Sequence, residues 1–297
     1  MKVLITGANG QLGWHLKQVF ADCELYLGDT DNYDITNREL ILAETEKFRP
    51  ALIIHAAAYT NVDGAETNQA LCRAINVDGS RHVAEAAAAV DAVLVAISTD
   101  YVFAGDKGEP YQESDSVKPL SFYGQTKAEG EQAVMATTAK HFITRTAWLY
   151  GGPKPTPETD WTTAILPKNF INTMLRVGLN RPSIEVVDDQ IGAPTYAADL
   201  SQAIRDLAAT KRYGIYHLTN SGTTNWAAVA EFIFETVQHP TTVTHIKSAD
   251  WQANNPSATK RPAYSVLGHA ALTAAGLPGL RAWQAALADY LSEFDHE

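Results

Sequence analysis

Tyr123 and Lys127 lie four residues apart in the run Ser121-Phe-Tyr-Gly-Gln-Thr-Lys127. On a helix that spacing places both side chains on one face, about one turn apart. An ammonium beside a phenol favours the phenolate and lowers its pKa, so such a pair can give or take a proton near neutral pH. Spacing alone does not decide the matter. Tyr150 and Lys154 are also four apart, but Gly151, Gly152 and Pro153 interrupt them. After Tyr123 only Gly124 is a poor helix former, and Ala128, Glu129, Glu131, Gln132, Ala133 and Met135 continue the helical run. Taken by itself the pair reads as a surface helix with a solvated lysine. The surrounding chain changes that reading.

The elements that would position the pair follow from periodicity. Lys2 to Thr6 is a short β-branched, apolar run bounded by glycine, which predicts a buried strand. Gly7-Ala-Asn-Gly10-Gln-Leu-Gly13 follows, then a helical pattern with Leu12, Leu16, Val19 and Phe20 on one face. In that context the glycines let the backbone turn tightly and approach a pyrophosphate, which the free N–H groups of the helix start would hold. The spacing is G-x-x-G-x-x-G; a plain strand-to-helix turn is the alternative.

Glu24 to Leu27 predicts a second strand. Asp29, about 20 residues past the glycine turn, stands where an acid would accept from a ribose hydroxyl, which favours NAD over NADP. Asp31, Asn32 and Asp34 equally suit loop and cap chemistry, with Asp34 or Thr36 capping a helix that runs to about Phe48. Ala51 to His55 predicts a third strand. Ala56, Ala57 and Ala58 at its end leave room for something flat, or simply allow tight packing. A long alanine-rich helix is expected from Gln69 to Ala89, with a possible kink at Asp78-Gly79.

Ala92 to Ile97 predicts a fourth strand ending in Ser98-Thr99-Asp100-Tyr101. Hydroxyls there suit substrate hydrogen bonds, or a strand-to-turn cap. Gly105 to Pro119 reads as a surface loop, and His141 to Thr146 as a fifth strand. This alternation without hairpin signals predicts a doubly wound parallel α/β sheet of Rossmann type over residues 1–147. Residues 148–297 read mostly as a smaller α/β substrate domain, with parts of 184–218 completing the first. There, helices are expected at Asn169 to Val177, Pro194 to Ala209, Asn225 to Val237 and Ala282 to Phe294. Strands are expected at Ser183 to Val187, Gly214 to Leu218 and Thr241 to Ile246, and Trp251 to Pro262 reads as mostly irregular. Gly151 to Pro167 is a long loop, either a lid or a mobile segment.

Composition narrows the function. A net charge of -11 makes a nucleic-acid backbone a poor partner. Cys23 and Cys72 offer neither a disulfide framework nor metal-ligand spacing, which suits a reducing cytoplasm. The nine histidines show no HExxH pairing, so no metal is expected. No apolar stretch reaches membrane-spanning length, and the first apolar run is too short for a signal peptide.

Glycine turn, Thr99, Tyr123 and Lys127 occur in the order of the extended short-chain dehydrogenase/reductase family, which the chain resembles. Ser98-Thr-Asp-Tyr-Val-Phe, Tyr123-Gly-Gln-Thr-Lys-x-x-Gly-Glu131, Arg145-Thr-Ala-Trp148-Leu-Tyr-Gly, Asp189-Gln-Ile-Gly-Ala-Pro-Thr195 and Gly214-Ile-Tyr-His217 together resemble its dTDP-4-dehydrorhamnose reductase branch. The resemblance implies reduction of the 4-keto group of a dTDP-sugar by NADPH or NADH. It implies that Tyr123 gives the proton, that Lys127 holds the nicotinamide ribose and keeps the tyrosine pKa low, and that Thr99 orients the carbonyl or the phenol. Gly7, Asn9, Gly10, Gln11, Leu12, Gly13, Asp29, Asp34, Ile35, Ala56, Ala57 and Ala58 would join Tyr123 and Lys127 in holding the cofactor. Thr60, Val62, Asp100, Tyr101, Trp148, Asn169 and Arg261 would hold the nucleotide sugar. Trp148 would offer a flat wall to the sugar, or else be interdomain core. Asn169 would otherwise be an N-cap. Arg261 is the best cation for the diphosphate.

Two departures bear on assembly. Some members carry a glutamate just after the glycine turn as part of a magnesium-linked dimer. Here His15 stands at that place and Ala197-Ala198 where another acid would lie, so magnesium is not expected and a monomer or weak homodimer is. The Gly151–Pro167 loop also looks longer than the family pattern. Related dehydratases have glutamate after Thr-Asp, where this chain has Tyr101, so dehydration is disfavoured. The alternatives are a reductase or epimerase of another nucleotide-linked deoxysugar, or a non-catalytic dinucleotide-binding regulatory subunit. Turnover against mere binding of NADPH separates the last.

Overall fold

The computed structural model describes residues 1–156, 159 and 166–292. Six parallel strands form one sheet, in the spatial order Gly214–His217, His141–Thr146, Val93–Thr99, Leu52–His55, Lys2–Thr6 and Glu24–Gly28. The doubly wound α/β sheet expected from the alternation is therefore present.

Period-two alternation in the strands builds a core on each face. Val3, Ile5, Leu52 and Ile54 point toward the helices Gln11–Val19 and Ala197–Ala209, meeting Leu12, Leu16, Leu200 and Ile204. Leu4, Ile53 and Leu94 point the other way, onto Ile41, Val83, Ala84 and Val134 of three further helices. A third apolar cluster, with Tyr150, Leu175, Tyr196, Ile233, Trp283 and Tyr290, organises the C-terminal region. Short strand pairs tie that region together: Ser183–Val187 lies parallel to Thr242–Ile246, and Leu149–Tyr150 parallel to Thr195–Tyr196.

Several local expectations change. The helix expected to begin near Asp34 or Thr36 starts at Arg38, capped by Asn37, whose side chain accepts from the Leu40 amide at 3.1 Å. Asp34 instead closes a local turn onto the amide and hydroxyl of Thr36. The long helix at Gln69 to Ala89 is two α-helices, Gln69–Arg73 and Ser80–Ala89, joined by a π-helical segment, Ala74–Gly79. The expected kink is thus a widened turn. The Gly105–Pro119 segment is a surface loop as expected, and the buried Tyr111 hydroxyl anchors it by accepting from the amides of Gly105, Asp106 and Lys107. The helix Ser248–Asn254 runs into the start of the stretch Trp251 to Pro262, which is otherwise irregular as expected. The last helix spans Trp283–Leu291; Phe294 and part of the Gly151–Pro167 loop lie outside the described residues. No described helix is long and apolar enough to cross a membrane.

Candidate active site

The glycine turn is built for close backbone approach. Gly7 has φ +66°, and a Cβ there would lie 2.8 Å from the Ala57 nitrogen. A Cβ on Gly13 would lie 2.4 Å from the Gly7 carbonyl oxygen. Gly10 opens the helix Gln11–Val19 with no side-chain cap, leaving the first-turn amides of Gln11, Leu12 and Gly13 to an outside acceptor. Asp29, at the end of the neighbouring strand, accepts from the Asn9 amide at 2.9 Å and from the Thr30 amide at 2.9 Å. Its carboxylate thus pins the turn. Ile35 is buried and packs on Gly79 of the π-helical turn, and Asp34 precedes it. A glycine cradle with an uncapped helix start fits a dinucleotide pyrophosphate.

Thr99 ends the strand Val93–Thr99 at the same edge of the sheet. Its hydroxyl accepts from the Tyr101 amide at 3.2 Å and donates to Asp100 at 3.0 Å. The next helix, Phe122–Thr137, starts where Ser121 caps it by accepting from the Gly124 amide at 3.1 Å. Gly124 is required there, since a Cβ would sit 2.2 Å from the Tyr101 carbonyl oxygen. The glycine brings Tyr123 edge-to-face against Tyr101, with ring centroids 5.6 Å apart. Tyr123 and Lys127 are both buried on this helix.

Electrostatics correct one expectation. Burial pushes the Tyr123 phenol well above its ordinary pKa, Thr99 pulls it back by hydrogen bonding, and Asp100 pushes it further up. Lys127 is not among the groups that shift it. The Lys127 ammonium instead donates to the Ile97 carbonyl at 2.7 Å, and burial lowers its pKa to about 8. In this structure Lys127 anchors to the strand rather than stabilising a phenolate. Tyr123 is a neutral acid, a form suited to giving a proton.

A buried polar chain that the sequence did not reveal links the strand before the glycine turn to this helix. The Ser80 hydroxyl donates to the Asn76 carbonyl at 2.7 Å, so it accepts from His55 Nε2 at 3.2 Å. That leaves His55 Nδ1 to accept from Thr6 Oγ1 at 2.8 Å, while Thr6 accepts from the Ala57 amide at 3.2 Å. Burial holds His55 neutral, with its pKa down to about 3, and nearby Lys127 adds to this. The Asn76 side chain fastens both backbone groups of Tyr59 and donates to Thr126 at 3.1 Å, and Thr126 donates to the Tyr123 carbonyl at 2.9 Å. The only sequence signal was a polar residue on the inner face of an alanine-rich helix.

The residues expected to hold the sugar scatter more. Val62 and Tyr101 share an apolar patch with Tyr123, while Thr60 is exposed nearby. Asp100 is buried, and burial raises its pKa to about 6. Arg261 makes a two-contact pair with Asp63. Asn169 is an N-cap, accepting from the Asn172 amide at 2.9 Å, and its amide also reaches Gln11 at 3.3 Å. Trp148 sits in the left-handed region at φ +49°. One face of its ring stacks on Trp226 with centroids 3.6 Å apart, and Gly192 presses close to the ring. Its flat wall is therefore half covered, by a partner that sequence spacing did not suggest. His15 accepts from the Gly152 amide at 3.1 Å and so anchors the start of the long loop. Among the described residues no three His, Cys, Asp or Glu side chains gather as a metal-holding group.

Comparison with known proteins bears on this arrangement. The family described as the RmlD substrate binding domain matches residues 1–296. The dTDP-4-dehydrorhamnose reductase of Streptomyces griseus is 39% identical over 302 residues, covering 96% of this chain and 91% of that one. The spore coat polysaccharide biosynthesis protein SpsK of Bacillus subtilis is 35% identical over 294 residues, covering 98% and 97%. The crystal structure of dTDP-4-dehydrorhamnose reductase from Bacillus anthracis, in complex with NADP, superposes with a TM-score of 0.90 at 39% identity, covering 98% of this chain and 99% of that one.

Proposed function

Since the chain belongs to the dTDP-4-dehydrorhamnose reductase family of extended short-chain dehydrogenase/reductases, an NAD(P)H-dependent group of dTDP-sugar 4-ketoreductases, we propose that its own substrate is dTDP-4-dehydro-L-rhamnose and its product dTDP-L-rhamnose. The observation that carries this reading is the meeting of Thr99, Tyr123 and Lys127 at the sheet edge beside the glycine cradle.

The cradle of Gly7, Gly10 and Gly13, with Asp29 beyond it, would hold a nicotinamide dinucleotide, which supplies hydride to the C4 carbonyl carbon when bound. This chain's residues then manage the oxygen. Thr99 orients it or the phenol by hydrogen bonding. Tyr123, kept neutral by burial, donates its proton as the oxygen becomes an alkoxide. Lys127, steadied by the Ile97 carbonyl, would hold the ribose next to the nicotinamide. Val62 and Tyr101 form an apolar wall around Tyr123, and Arg261 supplies the cation for the diphosphate.

The test is oxidation of NADPH and of NADH with dTDP-4-dehydro-L-rhamnose generated in situ, for wild type and Tyr123→Phe. Turnover by wild type and loss of most of the rate in the variant, with cofactor still bound, supports the assignment. Cofactor binding without turnover of this sugar refutes it and turns attention to other dTDP-ketosugars.

A further inference from the structure

Glu131 lies one helical turn beyond Lys127 and two beyond Tyr123, on the same buried face of the helix Phe122–Thr137. Three donors converge on its carboxylate. The Ser98 hydroxyl reaches Oε1 at 2.5 Å, Arg145 Nε reaches the same oxygen at 2.9 Å, and Arg145 Nη2 reaches Oε2 at 2.7 Å. Ser98 immediately precedes Thr99, and Arg145 comes from the adjacent strand. Arg145 is itself locked, with its guanidinium 5.1 Å from the Phe103 ring centroid. Glu131 and Lys127 line one small internal cavity together with Ser80, Ile97, Ser98 and Gly130. Gly130 leaves the helix close to the π-helical turn, since a Cβ there would lie 2.4 Å from the Asn76 carbonyl oxygen.

Such a placement is more than a structural ion pair needs. A buried Arg–Glu pair is no more stabilising than well-packed apolar side chains of the same volume. Here it fixes one carboxylate in the lining of the cavity that Lys127 also lines, one turn along the same helix face. The other ionisable groups around Lys127 are Tyr123 on its own helix, His55 on the strand Leu52–His55 and Cys72 on the helix Gln69–Arg73, with the Arg145 guanidinium of the strand His141–Thr146 on the far side of the Glu131 carboxylate it binds. Burial keeps His55 neutral and raises the Cys72 thiol. Glu131 is therefore the anion among them.

We propose that Glu131, clamped by Arg145 and Ser98, is the counter-ion that keeps the Lys127 ammonium charged in this buried site. It is a positioning residue that acts on the reaction through Lys127. The inference rests on the catalytic assignment of Lys127 above, and its test is chosen to separate the two. Burial alone draws the Lys127 pKa down, and Glu131 is the largest influence opposing that fall.

The experiment labels the full-length protein with 13Cε-lysine and follows the Lys127 signal, assigned by its loss in Lys127→Arg, through a pH titration. The pH profile of kcat/KM is measured on the same samples. In Glu131→Gln the Lys127 midpoint falls by about one pH unit or more. The alkaline limb of kcat/KM moves down with it, and Glu131→Asp restores both. The double variant Glu131→Gln/Arg145→Met leaves no buried unpaired charge, so it keeps the test open should the single variant fail to fold. It shows a fall in the same direction but smaller, because the Arg145 charge leaves with the carboxylate. A folded variant lacking Glu131 with an unchanged Lys127 midpoint overturns the proposal. A lowered midpoint with an unmoved rate limb upholds the counter-ion and instead refutes the catalytic role of Lys127.

Discussion

Arg261 and Asp63 face each other through two contacts of 3.0 Å, Nη1 to Oδ1 and Nη2 to Oδ2. The pair ties the helix Val62–Thr67 to a segment near the far end of the chain, and Thr259 and the Trp251 ring hold the guanidinium from its other sides. A diphosphate reaching Arg261 must share it with Asp63 or displace that carboxylate. Replacing Arg261 by Ala should raise KM for the nucleotide sugar about tenfold or more, with NADPH affinity unchanged. Asp63→Asn, which keeps the shape but removes the competing charge, should tighten dTDP binding. Calorimetric titration with dTDP checks both, and weaker binding to Asp63→Asn would show that the carboxylate aims the guanidinium rather than competing for it.

Tyr123→Phe removes the proposed proton donor but keeps the ring against Tyr101. The rate constant kcat should fall by about 100-fold to 10,000-fold, while fluorescence titration of NADPH gives the wild-type affinity. A variant that retains a tenth of the activity would move the proton source elsewhere.

At Gly13 the added methyl group of Gly13→Ala has nowhere to go, lying 2.4 Å from the Gly7 carbonyl oxygen. The turn must open, and NADPH affinity should drop by at least about tenfold. Substituting Gly108, which has open space around it but φ +72°, should leave NADPH affinity unchanged and affect only folding stability.

Acid stability follows from four buried groups. Burial holds His15, His55 and His217 down to about 4, 3 and 3, against 6.5 for an ordinary histidine. Below pH 6.5 the unfolded chain takes up protons that the folded chain refuses. Their effect is to lower stability as the pH falls from 6.5 toward the folded values. Asp100 acts in the opposite sense. Its pKa of about 6, above the ordinary 3.8, lets the folded chain bind a proton that the unfolded chain releases, so it adds stability between pH 6 and 4. Near pH 5 three protons oppose one, and stability from these groups should fall by about 3 kcal/mol per pH unit on acidification. Urea unfolding at pH 7, 6 and 5 measures the slope. A flat profile would place the histidines in contact with water, and Asp100→Asn should steepen the slope.

Much of the fold was legible because it is local. Strand-to-helix alternation, the glycine turn and the Asn225 cap, which accepts from the Ala228 amide at 2.8 Å, all depend on residues close in sequence. Asn37 and Asp34 show where local reading fails: both have the chemistry of a cap, and the choice between them rests on where packing of Ile41 sets the helix. The partners in the candidate site are non-local. Glu131 finds Arg145 across a strand connection, Trp148 finds Trp226, and Asn76 reaches Tyr59 and Thr126 from a π-helical turn. No spacing in one dimension encodes those meetings. Trp148 illustrates the cost: its side chain suggested an open wall, and only its stacking neighbour shows that one face is covered.

The order of the sheet also constrains how the chain is made. His141–Thr146 pairs with Gly214–His217, a strand that leaves the ribosome only after the intervening helices and strand pairs. Until it arrives, the six-residue strand His141–Thr146 is a bare margin of the sheet, a longer template for pairing with another nascent chain than the four-residue strand that ends the finished sheet. A fragment cut at residue 147 would keep that raw margin permanently. The first half of this protein should therefore not behave as a detachable module, and a gene truncated there should yield inclusion bodies rather than a small dinucleotide binder.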